Sequence, residues 1–271
     1  MANTLTLGSK RIGAGQPCFL LADIGPNHQG DLNNCRRLID LAAEHGWDAV
    51  AVEFFHPEQL VFKSVLKNSF PSEVQLKYSA QVMKRFSLDA DAAASIKQHC
   101  AAKKIALLAY ANDAKEVAAL SRIVDGFVML PNDAEDAGIL DAITKAKKPA
   151  LIQSGFLSFD RIKELVAALR KKKVQYCLMH SGKSFPAEFD TLNLSMIRKL
   201  KALDIPVGYY SYELGIAVAS SAVLLGADIV AKHITLSRDL EGAYHGNSLE
   251  ENGMKLVSRD LRKLEQALGK E

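Results

Sequence analysis

Short apolar runs alternate with longer segments of helical period almost from end to end of this chain. The runs CFLLADI (18–24), AVAVEFF (49–55), IALLAYA (105–111) and GFVML (126–130) read as buried strands, as do ALIQ (150–153), QYCLMH (175–180), IPVGYY (205–210) and IVAKH (229–233). Amphipathic stretches separate or follow them at 31–45, 89–102, 113–121, 135–146, 159–171, 190–203, 214–225 and 249–268. The first of these opens at Asp31 and puts Leu38, Leu41 and Ala42 on one face, as a helix does. The strands are apolar on both faces, which suits a parallel sheet covered by helices. Eight such βα cycles predict an α/β fold, a closed (β/α)8 TIM barrel rather than an open doubly wound sheet. Two pieces fall outside the rhythm. TLTLGSKRIG (4–13) alternates like a small hairpin and is expected to close the barrel bottom. Residues 56–87, with Pro57 and Pro71, form a long loop after the second strand, expected to lie over the active-site mouth.

Length and composition agree with one soluble barrel. The chain has 271 residues, 48% of them apolar and 24% charged, where such barrels run to about 250 residues. The formal charge is only +3, and the one basic run, Arg170-Lys171-Lys172-Lys173, ends a predicted helix. Cations there suit the negative end of the helix dipole, so no nucleic-acid partner is expected. Cys18, Cys35, Cys100 and Cys177 are in no metal-binding spacing and read as buried, reduced thiols of a cytoplasmic protein. No apolar stretch reaches 18 residues and the N-terminus has no signal-peptide core, so neither membrane insertion nor standard export is expected. His45 and His99 fall on helical segments and are read as solvated surface.

A barrel fixes where chemistry is to be sought, at the C-terminal ends of its strands. Those ends carry Asp23, Glu53, Asn112, Asp133, Gln153, Ser154, His180, Tyr210, Tyr212 and His233. The set is strongly polar for the rim of an apolar core, and it predicts a binding or catalytic pocket. Lys232, on the opposite face of its strand from His233, is read as structural.

Several segments in order along the chain resemble the N-acetylneuraminate (sialic acid) synthase family. They are ADIGPNHQGDLNNCRRLIDLAAEHGWDAVAVEFF, KKPALIQSGF, LMHSGKSFP with NLSMIRKL, PVGYYSYELG with AVLLGADIVAKHITL, and LEGAYHGNSLE. The resemblance implies a barrel that condenses phosphoenolpyruvate with an N-acylated amino sugar, aided by a divalent metal (Mn or Mg). It also implies a single barrel over 1–271 without the family's small C-terminal antifreeze-like module, since the chain stops at LEQALGKE, where the last barrel helix should end. Oligomeric state stays open.

Carried over residue by residue, the match is uneven. Of the two histidines with which the family holds its metal, the first position is Tyr212 and the second is His233. The acidic positions before the second histidine and in the family's GPD motif are Ala231 and Tyr244, while His245 is kept. The cosubstrate positions are Ala51, Glu53, Val128, Pro131 and Tyr210, with Lys183 where the family has a small polar residue. A trianionic cosubstrate needs fixed cations and donors, and two lysines are gone while Glu53 is added. The sugar side is better matched, by Asp23, Asn27, His28, Gly30 and Asp133, and Pro186 and Gly208 keep the loop shapes.

The expectation is therefore a sialic-acid-synthase-like enzyme of sugar-acid or carbohydrate biosynthesis. It would form or cleave a carbon–carbon bond on a polar, sugar-like small molecule, without the family's usual phosphoenolpyruvate binding. His233 and His180 are the candidate acid–base or metal-ligating groups, Glu53 the base or an ion-pair partner of Lys183, and Lys183 an anion contact. Asp23, Asn27, His28, Asp133, Gln153, Ser154, Tyr210, Tyr212, Tyr244 and His245 are the candidate substrate contacts. Two different chemistries remain open: a new metal site at His180, His233 and Glu53 with Asp23, or a Schiff base on a desolvated Lys183. The non-catalytic alternative is a ligand-binding or regulatory barrel whose tyrosines fill a pocket released from catalysis.

Overall fold

The computed structural model describes residues 4–54, 86–131 and 133–269. The loop expected over the mouth therefore lies outside the described residues, except for its last two positions. A two-stranded antiparallel hairpin, β1 (Thr4–Leu7) and β2 (Lys10–Gly13), opens the chain. Its two-residue turn starts at Gly8 with φ of +57°, where an L side chain would be strained. Eight strands then follow in order: β3 (Phe19–Gly25), β4 (Ala49–Val52), β5 (Ala106–Tyr110), β6 (Gly126–Met129), β7 (Ala150–Gln153), β8 (Tyr176–Ser181), β9 (Val207–Ser211) and β10 (Ile229–His233). Each pairs in parallel with the next, and β10 pairs with β3, so the sheet closes. The helices are α1 (Leu32–Glu44), α2 (Ala90–Ala102), α3 (Ala114–Leu120), α4 (Ala137–Ala146), α5 (Phe159–Lys172), α6 (Met196–Lys201), α7 (Ala217–Leu224) and α8 (Glu251–Leu268). The expected (β/α)8 barrel with an N-terminal hairpin is the observed fold.

Local chemistry sets the helix starts. Asp31, Asp89, Asp113, Asp136 and Ser158 each accept a hydrogen bond from a first-turn N–H of the helix that follows, filling donors that the helix itself leaves open. The basic run at 170–173 does end α5, with Lys173 in the left-handed conformation and Arg170 bonded to the Leu203 carbonyl. α6 is shorter than its apolar pattern because Phe189–Thr191 form a separate 3-10 turn and Asn193 takes φ of +47°. His45 and His99 are not plain surface: His45 caps α1 and faces Glu251, and His99 bonds Asp40 at 2.7 Å.

The core has two shells. Leu20, Val50, Leu107, Phe127, Ile152, Leu178 and Val230 face the helices, while Leu21, Ala51, Leu108, Val128, Leu151, Met179 and Ala231 fill the barrel interior. Leu5, Leu7 and Ile12 of the hairpin pack into the interior set, so the hairpin plugs the barrel bottom. Gly126 makes room for it, since a Cβ there would sit 2.6 Å from Leu7 Cδ2. At the same end Asp48, Asp125 and Asp228 each stand just before a strand and accept an N–H from the first or second residue of a neighbouring strand. Each also holds a cation, Lys10 and Arg262, Lys97, and Lys201 respectively. That repeated carboxylate fixes strand register from below and leaves the upper ends for chemistry. All four cysteines are buried and free. Among the described residues no helix is long and apolar enough to cross a membrane.

Candidate functional site

Period-two alternation carries Asp23, Glu53, Tyr110, Gln153, Tyr210 and His233 from the strands' inner faces to the upper mouth of the barrel. The barrel axis there is occupied by one hydrogen-bonded cluster. Asp23 is fully buried, and its Oδ2 accepts from the Tyr110 hydroxyl at 2.5 Å and the Tyr210 hydroxyl at 2.6 Å. The two phenol oxygens stand 3.1 Å apart. His233 Nδ1 lies 3.1 Å from the same Oδ2, close enough for attraction but off the direction of a hydrogen bond. Asp23 Oδ1 is buried without a partner. A carboxylate so placed is compensated by donors rather than by a cation, which is what a dry site requires.

Aromatic rings surround the imidazole. His233 is stacked on Tyr244 (centroids 4.8 Å, 21°) and on Tyr212 (6.0 Å, 11°). Phe185 meets His233, Tyr212 and Tyr244 by its edge. The Tyr212 hydroxyl donates to Gln153 Oε1 at 2.6 Å, leaving Gln153 Nε2 buried without a partner. Burial holds the His233 pKa below its ordinary value despite the opposing pull of Asp23, so the ring is neutral near pH 7. Burial likewise raises the phenols of Tyr110, Tyr210 and Tyr212, and Tyr244 is pushed up to about 12.

Glu53, just past the end of β4, is the group poised to titrate. Burial and then the neighbouring Asp23 charge push its carboxyl up to about 7. It lines a cavity of about 30 Å³ together with Pro26, Tyr110, Leu130, Tyr212, His233 and Tyr244. Such a volume is about that of one water molecule. Glu116, in the first turn of α3, is buried with both carboxylate oxygens unpartnered and is pushed up to about 8, by burial above all, then by Asp113 and least by Glu53.

Other expected members do not join this cluster. His180 shares the outward face of β8 with Leu178 and bonds the Leu192 carbonyl at 2.7 Å, so it stands in the wall away from this cluster. Ser154 follows the same parity and turns to the Met179 carbonyl. Lys183 is exposed in the loop after β8 rather than inside an apolar mouth, and no ion pair with Glu53 forms. The two special chemistries built on His180 and Lys183 therefore lose their geometry.

Asn27 and His28 are used by the framework. Asn27 Nδ2 donates to the Ile234 carbonyl and to Ser248 Oγ. His28 Nδ1 accepts from Gly30 N–H, its Nε2 faces the Glu53 carbonyl at 3.4 Å, and burial lowers its pKa to about 4. His245 is buried against Thr235 Oγ1, and its Nε2 has no partner. Asp133 is half-buried in the turn after β6, raised by burial and then by Asp136, and does not line the cavity. Lys232 faces outward as expected and is buried against Ser211 Oγ, the Glu213 carbonyl and, at 3.9 Å, the Glu213 carboxylate. Tyr110 and Phe185 complete the cluster and were not among the candidates. Tyr110 alternates in phase with Leu108, which was a usable signal.

The described residues do not suit a divalent metal. Among the described residues no three His, Cys, Asp or Glu side chains converge as a ligand set. His233 and Asp23 are the only pair of hard ligands in this cluster in direct contact, and Tyr212, a neutral phenol, is committed to Gln153.

A model described as the NeuB family matches residues 38–271. The human N-acetylneuraminate-9-phosphate synthase is 30% identical over 265 residues, covering 95% of this chain and 73% of that protein. The N,N'-diacetyllegionaminic acid synthase of Campylobacter jejuni is 29% identical, over 93% of this chain and 77% of its own. Among solved structures, the N-acetylneuraminic acid synthetase of Leptospira borgpetersenii superposes with a TM-score of 0.90 at 27% identity, over 99% of this chain and 91% of that one.

Proposed function

Because this chain belongs to the NeuB family, we propose that it acts in sugar-acid or carbohydrate biosynthesis on a polar, sugar-like substrate, making or breaking a carbon–carbon bond by acid–base chemistry. Relatives named as N-acetylneuraminate-9-phosphate synthase and N,N'-diacetyllegionaminic acid synthase support the substrate class. The single observation that carries the chemistry is the Glu53 carboxyl, lining the mouth cavity beside His233 and half protonated near pH 7. A group in that state takes a proton and returns it with little driving force wasted in either direction. In this reading Glu53 is the base, neutral His233 the hydrogen-bonding partner of a substrate oxygen, and Asp23 the fixed charge that tunes both. Gln153 Nε2, buried and unpartnered, is a donor ready for a substrate oxygen.

The same charges argue against phosphoenolpyruvate in the family's manner. Ala51, Val128 and Pro131 stand where lysines and a serine are expected, and Asp23 and Glu53 face the mouth. One added like-charge pair at about 5 Å and an effective dielectric near 20 costs about 3 kcal/mol. That is roughly a hundredfold in affinity. We place the protein in the cytoplasm, where four buried free thiols are at home.

A second reading is favoured by one observation. The rings of Tyr212, Tyr244 and Phe185 crowd His233, as they would in a barrel that binds a ligand without turning it over. The test is a panel of amino sugars and 2-oxo acids, followed by NMR for product and by thermal shift for binding. Turnover with an acid limb near pH 7 that is lost in Glu53→Gln supports the enzyme. Stabilisation without product in any combination overturns it in favour of the binding barrel.

A further inference from the structure

We infer that this barrel has given up a resident divalent cation at its mouth, and that two tyrosine hydroxyls and a ring stack now do the holding that a cation would do. The inference rests on geometry and not on the proposed reaction.

A cation at a barrel mouth does two structural jobs, neutralising buried carboxylate and fixing the imidazoles that bind it. Both are done here by other groups. Asp23 Oδ2 takes two phenol O–H donors and stands beside His233 Nδ1, so its negative charge is already compensated. His233 is fixed by two stacked rings, Tyr212 and Tyr244, and by the edge of Phe185. Glu53 lines the same cavity, but among the described residues it does not converge with His233 and Asp23 into a three-ligand set, and the other positions offer no ligand. Tyr212 is neutral because burial raises its phenol, and its proton goes to Gln153. Ala231, one inward step below His233, contributes a methyl group to the interior. Tyr244 brings a stacked ring. Hard divalent cations require several oxygen or imidazole ligands, and they keep some of their water. A cavity of about 30 Å³ beside His233 has room for one water and not for a partly hydrated ion.

The arrangement is a mutual replacement. With Tyr212 stacked on His233, a metal would have to displace the ring; at Asp23 it would find Oδ2 already bonded to Tyr110 and Tyr210 and only Oδ1 open. Each substitution removes a reason for the cation and supplies what the cation supplied.

The test uses the unmodified protein, stripped with EDTA and titrated with Mn²⁺ at pH 7.5. Free Mn²⁺ is read by electron paramagnetic resonance and the melting midpoint by calorimetry. The expected result is no saturable site tighter than about 1 mM at the mouth and a midpoint that neither Mn²⁺ nor EDTA moves. A signal that His233→Gln leaves unchanged is bound elsewhere and agrees with the inference. One Mn²⁺ per chain at micromolar affinity, abolished by His233→Gln, would overturn it. The converse variant Tyr212→His, its fold checked by circular dichroism, is expected to gain at least a tenfold tighter Mn²⁺ site. A titration identical to that of the parent protein would overturn the assignment of the loss to Tyr212.

Discussion

Removing one hydroxyl, in Tyr210→Phe, tests whether phenols hold Asp23 in its buried charged state. The ring of Tyr210 is fully buried among interior residues, so the variant keeps its shape and loses only the O–H that reaches Asp23 Oδ2 at 2.6 Å. A hydrogen bond to a charged group is worth about 1.5–3 kcal/mol, and the unpaired acceptor left behind adds to the loss. Tyr110 remains at 2.5 Å and His233 at 3.1 Å, so Asp23 is not abandoned. The expected loss is about 2 kcal/mol, or roughly 6 °C in melting midpoint for a domain of this size. Tyr110→Phe should cost a similar amount. The double variant should cost more than the two together, because the second deletion leaves the carboxylate with no hydroxyl donor. Urea unfolding at pH 7.5, with reversibility checked, measures all three. A Tyr210→Phe change under about 0.5 kcal/mol, or strict additivity in the double variant, would refute the claim that the phenols stand in for a cation.

Four further outcomes follow from the same geometry. Glu53 has a folded pKa of about 7, above the ordinary 4.5 of an unfolded carboxyl, so the folded state binds its proton more tightly. Stability should therefore fall as pH rises from about 4.5 to about 7, by about 3 kcal/mol in all, and Glu53→Gln should flatten that slope in pH-dependent urea unfolding. Glu116 obeys the same sign with a folded value of about 8, so Glu116→Gln should gain most over the parent protein at pH 9 and least at pH 4, by differential scanning calorimetry. Lys232→Met leaves the buried Glu213 carboxylate with only Tyr209 and Ser211 and should cost about 3–5 kcal/mol in chemical denaturation. Gly126→Ala forces a Cβ to 2.6 Å from Leu7 Cδ2 and should cost about 1–3 kcal/mol, with faster hydrogen exchange in the hairpin as its signature.

Most of the fold was legible because each strand run is apolar on both faces and five of the helices begin at a capping Asp or Ser. Even the hairpin showed itself, through the alternation of Leu5 and Leu7 around polar threonines. The site was half legible. Asp23, Glu53, Gln153, Tyr210, Tyr212 and His233 converge because strand ends point their odd or even members inward. His180 and Ser154 were counted as rim residues by position alone, although Met179 and Gln153 next to them fix the inward parity. Tyr110 sat unnoticed in an apolar run, where a phenol reads as core until its partner Asp23 is known. Lys183, Asn27 and His28 lie in loops, and no periodicity tells whether a loop side chain enters a mouth or binds its own backbone. Their fate is set by tertiary contacts such as Asn27 to Ile234, more than two hundred residues apart.

In this reading the mouth has exchanged fixed cations for buried acids and phenols. Calorimetric titration with phosphoenolpyruvate, with and without Mn²⁺, tests it most directly. No binding tighter than about 1 mM is expected in either condition. A dissociation constant below about 100 μM would mean that the anion site survives, and would contradict the exchange.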